Sequence, residues 1–174
     1  MSEFAHAINR EGNGAISTTA APSNRVALLL AGGNGTCPQE LMRAITAIPI
    51  PKQYCRLLHG SSLLKTALSR AHFIAPRERI SVVVNQGHLG LAKQQLRTLP
   101  ESNIFVQPLD RDTGPGLIVA LLQLEPIYPD AIVAVLPTDH YVGDERSFIP
   151  HALRYRQHDI PFTRKNCALG RCYR

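Results

Sequence analysis

No apolar run in this 174-residue chain approaches the ~18 residues that a membrane-spanning helix needs. Residues 1–24 (MSEFAHAINREGNGAISTTAAPSN) also lack the apolar stretch of a secretory signal, so the expected location is the cytoplasm, with no membrane partner. Cysteine is scarce. Cys37, Cys55, Cys167 and Cys172 are the four present and no two form a Cys-x-x-Cys pair, which argues against a disulfide-dense scaffold and against a zinc site. Cys55, between Tyr54 and Arg56 in an apolar run, reads as a small hydrophobe. Acidic residues run short only at the carboxyl end. Residues 1–144 hold 12 Lys/Arg against 11 Asp/Glu, whereas residues 145–174 hold 7 against 2, so the net charge of +6 is terminal. Without interleaved aromatics or a binding motif, that basic end argues for a solvated tail before a nucleic-acid surface.

What is present is the balance of a globular protein, 44% hydrophobic and 18% charged, in a length suited to one ordinary domain. The first 24 residues are rich in Ser, Thr, Ala, Gly and Asn without periodicity and read as a disordered arm. From Arg25 onward, short apolar runs alternate with helical patterns. RVALLLA (25–31), YCRLL (54–58), ISVVV (80–84), NIFV (103–106) and AIVAVL (131–136) are candidate strands, most of them patterned for burial on both faces. SLLKTALSRAHFIA (62–75), capped by Ser61 or Ser62, HLGLAKQQLRTL (88–99) and TGPGLIVALLQL (113–124) are candidate helices. This βαβ alternation implies an α/β fold, a mostly parallel sheet with helices on both faces, whose ligands bind outside the carboxyl ends of the strands.

Chemistry is therefore sought just after each strand. The first runs into AGGNGTCPQEL, where bare backbone permits a sharp turn and lets N–H groups approach an anion. A P-loop would need a Lys after the last glycine and has none. A dinucleotide loop would need a sixth-position glycine where Pro38 stands, and no acid closes the next segment. Taken alone, such a turn can also be a mere connection. IPIPKQY (48–54) holds Lys52 in a proline-stiffened loop, where it is either a solvated lysine or a phosphate-binding point charge. Pro137-Thr138-Asp139-His140 closes the last strand and is, by itself, equally turn chemistry.

Together these stretches resemble the sugar-nucleotide pyrophosphorylases, a family whose first strand leads into Ala-Gly-Gly-x-Gly-Thr-Arg and then Pro-Lys-Pro or Pro-Lys-Gln. VQPLDRDTGPG (106–116) and LPTDH (136–140) are similar to the mannose-1-phosphate guanylyltransferase branch. The resemblance spans about Arg25 to Arg154. It implies a Rossmann-like fold and a Mg²⁺-dependent reaction in which a sugar 1-phosphate, mannose 1-phosphate on this branch, attacks the α-phosphorus of GTP and expels pyrophosphate, in the supply of polysaccharide precursors. It further implies that Gly32, Gly33 and Gly35 line the nucleotide, that Lys52 meets phosphate, and that Gln107 and Gly114 lie along the base. Asp139 would hold Mg²⁺, a hard cation that prefers carboxylate oxygen.

The chain departs from that pattern in three places. Cys37 stands where the family carries a triphosphate-contacting arginine, and a neutral thiol supplies neither its charge nor its fork of donors. The connection between Thr36 and Lys52 is longer than usual, with Pro38 in place of a leucine and Arg43 as a candidate substitute cation. Asp112 stands where the branch has Asn. The family domain also continues past this point with much of the sugar site and a second metal-binding aspartate, whereas ALRYRQHD still reads as helix and PFTRKNCALGRCYR (161–174) carries no motif. The expected organisation is an arm over 1–24, the N-terminal part of an incomplete nucleotidyltransferase domain over 25–160, and an atypical basic tail over 161–174. Three functions follow: a guanylyltransferase-type enzyme, a truncated nucleotide-binding relative without turnover, or a basic module for nucleic acid.

Overall fold

A computed structural model describes residues 24–33, 50–56, 60–109 and 112–154. The expected arm over 1–24, apart from Asn24, and the tail over 161–174 lie outside the described residues, as do Gly35, Cys37, Pro38 and Arg43. Four strands form one sheet: β1 (Arg25–Ala31), β2 (Ile80–Asn85), β3 (Ile104–Gln107) and β4 (Ile132–Pro137). Their order is β3-β2-β1-β4, and every neighbouring pair is parallel.

β1 is central, and its alternation serves two cores because both its faces are covered. Ala27, Leu29 and Ala31 join Val82 and Val84 of β2 on one face, while Val26 and Leu28 join Val83 on the other. Leu29 lies in register with Val82 on one side and Leu136 on the other. Full burial of residues such as Leu28, Leu29 and Ile80 contributes roughly 1.5–3 kcal/mol each, which makes β1 and β2 the anchor of the sheet. The outer strands depart from the expectation of burial on both faces. β3 is only half-buried with Val106 exposed, and β4 is fully covered only at Val135 and Leu136.

On the first face lie α1 (Leu63–Ala71) and α2 (Leu89–Gln95). Ser62, rather than Ser61, caps α1 by accepting from the Lys65 N–H at 3.2 Å, and Leu64, Ala67, Leu68 and Ala71 form its buried stripe. α2 is shorter than the expected 88–99. Its last turn opens at Leu96, and Leu99, which precedes Pro100 and is thereby pushed from helical backbone, is buried in a turn instead. α3 (Thr113–Leu124) covers the second face with Gly116, Ala120 and Leu124 inward, leaving Ile118, Val119 and Leu122 exposed. α4 (Glu145–Arg154) returns to the first face through Phe148 and Ala152.

The candidate strand over 54–58 is not a strand in its described part. Lys52–Tyr54 is a single 3-10 turn, with the Tyr54 N–H donating to the Pro51 carbonyl at 2.9 Å, and residues 57–59 lie outside the described residues. The apolar character of Tyr54 and Cys55 reflects burial, since both are at most 3% exposed without pairing in the sheet, and Tyr54 joins the core shared by α1 and β1. Cys55 is the small hydrophobe expected, its Sγ 3.4 Å from the Ile50 carbonyl and its thiol pushed up in pKa by burial.

Candidate active site

After β1 the chain moves outward to β2 and β3, then crosses back over α3 to β4 on the opposite side of β1. The crevice of such a sheet opens where that order reverses, between the carboxyl ends of β1 and β4. Gly32 and Gly33 follow β1 there, and Thr138, Asp139 and His140 follow β4. The Thr138 hydroxyl, on a side chain 1% exposed residue-wide, donates to the Leu30 carbonyl at 2.6 Å and closes the floor between the two strands.

Gln107 ends β3, and its carboxamide lies between two glycines of different elements. Oε1 faces Gly32, Nε2 faces Gly116 in the first turn of α3, and a Cβ built on either glycine would overlap the amide group. Missing side chains are therefore what let the turn after β1 and the start of α3 close on Gln107. A Cβ built on Gly114, two residues earlier, would meet nothing within 4 Å, and that glycine is exposed. The structure thus brings Gly32 and Gln107 together, with Gly116 as the partner in contact.

Lys52 opens the 3-10 turn and is half-buried, but the residue that grips the glycine turn is its neighbour. Gln53, 3% exposed, donates from Nε2 to the Ala31 carbonyl at 3.2 Å and the Gly33 carbonyl at 2.7 Å. The Tyr54 hydroxyl donates to the same Ala31 carbonyl at 3.2 Å, and burial pushes that phenol's pKa upward. The turn is braced from behind by Gln95, whose Nε2 donates to the Tyr54 carbonyl at 3.0 Å and whose Oε1 accepts from the Ser62 hydroxyl. Gln53 was visible as the third residue of Pro-Lys-Gln, and Gly116 as the second glycine of Gly-Pro-Gly. Only their contacts reveal what they do.

Asp139 is 51% exposed by side chain, and its Oδ1 lies 2.9 Å from Nδ1 of His140, itself 69% exposed. Among the described residues no three His, Cys, Asp or Glu side chains gather as a metal cluster. A lone hard carboxylate suits a cation that keeps water and takes phosphate oxygens as its other ligands. Asp112 caps α3 by accepting from the Thr113 N–H at 2.8 Å, on backbone with φ of 70° and ψ of 177°. That region is nearly reserved for glycine and costs a residue with a Cβ of order 1–3 kcal/mol, and strain of this kind concentrates near functional sites.

The sequence pattern of the nucleotidyl transferase family matches residues 26–161, and the chain belongs to that family. It is 34% identical over 128 residues to the xanthan biosynthesis protein XanB of Xanthomonas campestris, and 32% over 123 residues to a mannose-1-phosphate guanylyltransferase of Salmonella montevideo. Those alignments take in 72% and 70% of this chain but 26% and 25% of the relatives, so the chain spans about a quarter of their length. A solved structure described as a mannose-1-phosphate geranyltransferase from Thermus thermophilus superimposes with a TM-score of 0.59 at 26% identity, over 73% of this chain and 36% of that one. A mannose-6-phosphate isomerase from Helicobacter pylori shares the fold at a TM-score of 0.52 and 18% identity, over 72% of this chain and 43% of that one. No described helix is long and apolar enough to cross a membrane.

Proposed function

We propose that this chain binds GTP across the carboxyl ends of the strands, from Gln107 of β3 to the crevice between β1 and β4, and serves a guanylyltransferase-type reaction with mannose 1-phosphate. In that reaction a phosphate oxygen of the sugar 1-phosphate forms a bond to the α-phosphorus as the bond to the departing pyrophosphate breaks. The observation that carries the reading is the Gln107 carboxamide held between Gly32 and Gly116 at the carboxyl ends of the strands. It supports a base lying along Gln107 with the phosphates beside the glycine turn. Lys52 supplies a cation one residue from the grip on that turn, and Asp139 would hold Mg²⁺. When bound, the ion supplies charge neutralisation on phosphate, and positioning with electrostatics dominates chemistry of this type.

Calorimetric titration of the 174-residue chain with GTP and Mg²⁺, against ATP and CTP, tests the binding step. GTP is expected to bind most tightly, and folded protein that binds no nucleotide at millimolar concentration would remove the reading. A second reading, binding without turnover, is favoured by Cys37, whose neutral thiol stands where the family carries arginine. Pyrophosphate release from GTP and mannose 1-phosphate separates the two. Asp139-dependent release identifies the enzyme, and binding with no release identifies the inactive relative.

A further inference from the structure

The glycine turn is set by the side chains that hold its carbonyls. Leu30, Ala31 and Gly33 each have a carbonyl that accepts from a side-chain donor: Leu30 from Thr138 at 2.6 Å, Ala31 from Gln53 and Tyr54 at 3.2 Å each, and Gly33 from Gln53 at 2.7 Å. Successive carbonyls of a strand point to opposite sides in the plane of the sheet. Leu30, bonded to a residue just past β4, points to the β4 side, so Ala31 points to the β2 side, where Gln53 and Tyr54 meet it. A trans peptide unit is planar with its C=O and N–H opposed. The Gly32 N–H is therefore aimed away from Gln53, toward the β4 side of the sheet.

We infer that Gln53 is a positioning residue for anion binding: by engaging the Ala31 and Gly33 carbonyls it turns the Gly32 N–H toward phosphate and withdraws two carbonyl oxygens from it. The inference rests on the nucleotide reading above and deepens it. The physical need is plain, because a polyphosphate beside this turn meets either donors or acceptors depending only on how two peptide planes are rotated, and glycine leaves those planes free. Gln53 is 3% exposed with its one amide nitrogen shared between both carbonyls, so it locks the rotation without touching the ligand itself. Tyr54 adds a second donor to Ala31 from the same turn, and Pro51 at its start, with φ of −59°, stiffens the support.

The test uses the 174-residue chain, ¹⁵N-labelled, titrated with inorganic tripolyphosphate and separately with GTP and Mg²⁺. The Gly32 amide resonance should move downfield with tripolyphosphate in the wild type. In Gln53→Met, which keeps the length of the side chain but has no donor, that movement should vanish and tripolyphosphate affinity should fall at least tenfold. Gln53→Glu, which places an acceptor against two acceptors, should lower it further. Thermal melting of each variant reports folding, and if either variant is unfolded the wild-type Gly32 movement decides alone. An unmoved Gly32 amide in the wild type, or a folded Gln53→Met chain with unchanged affinity, overturns the inference. GTP that binds no better than tripolyphosphate, with Gly32 still moving, defeats the nucleotide reading and leaves the positioning role standing.

Discussion

The Thr138 hydroxyl donates to the Leu30 carbonyl at 2.6 Å, joining residues 108 positions apart at the point where the sheet order reverses. Leu30 lies in register with Pro137, the last residue of β4, and the side chain just past it supplies this donor. Thr138→Val should therefore remove one buried hydrogen bond and cost about 0.5–1.5 kcal/mol, whereas Thr138→Ser, which keeps the hydroxyl, should cost less. Urea denaturation midpoints with an unchanged slope are the measurement. Equal losses for both variants would show that the methyl group, not the hydroxyl, matters.

The two glycines of Gly114-Pro115-Gly116 should respond oppositely to alanine. Gly114 meets open space, so Gly114→Ala should be neutral or stabilise α3 by up to about 0.5–1 kcal/mol. Gly116→Ala drives a Cβ into the end of the flexible Gln107 side chain, which will swing out. Stability should then change by only about 1 kcal/mol while GTP affinity falls about tenfold, the equivalent of roughly 1.4 kcal/mol. Calorimetry beside thermal melting separates the two effects.

Arg70 of α1 is buried, its side chain 2% exposed, and its guanidinium grips Glu145 at the start of α4, with Nη2 to Oε1 at 2.6 Å and Nε to Oε2 at 2.9 Å. Phe148 lies over the same group, 5.2 Å from ring centre to guanidinium carbon. Removing one partner of such a pair strands a buried charge, so Glu145→Ala should destabilise by about 3–5 kcal/mol. The double variant Arg70→Met with Glu145→Leu should recover much of that loss. A double variant worse than Glu145→Ala would contradict the desolvation argument.

Stability should fall on the alkaline side. Burial raises the pKa of both Cys55 and Tyr54, so as pH climbs past the ordinary thiol value of about 8.5 the unfolded chain binds fewer protons than the folded one. The stabilisation is complete below the unfolded value and is lost as pH rises toward the folded one. Cys55→Ala should flatten the decline between about pH 8.5 and 10. Denaturant midpoints across that range would show it, and parallel curves for the two proteins would refute it.

Much of the fold was legible because period and buried character coincide in the central elements. RVALLLA became β1 and TGPGLIVALLQL became α3 with the expected limits, since each begins and ends on strong local chemistry. The described part of YCRLL, residues 54–56, is not a strand, because an apolar pair looks the same whether it fills a ladder or a gap. Tyr54 joins the core shared by β1 and α1, and Cys55 beside it is buried against the Ile50 and Pro51 carbonyls. α2 came out short because Pro100 acts on the residue before it more strongly than helical periodicity does.

In the candidate site the division is sharper. Sequence alone determined that glycines would follow β1, that Gln107 would directly follow the strand expected over 103–106 and that Asp139 would follow β4, because motif and strand ends are both linear properties of the chain. Only the tertiary structure decided that Gln53, rather than Lys52, holds the glycine turn, that Gly116, rather than Gly114, faces Gln107, and that Thr138 seals the switch point. Those roles depend on which peptide plane turns toward which donor and on a Cβ-sized space between elements. Such distances arise only when strands far apart in sequence lie side by side.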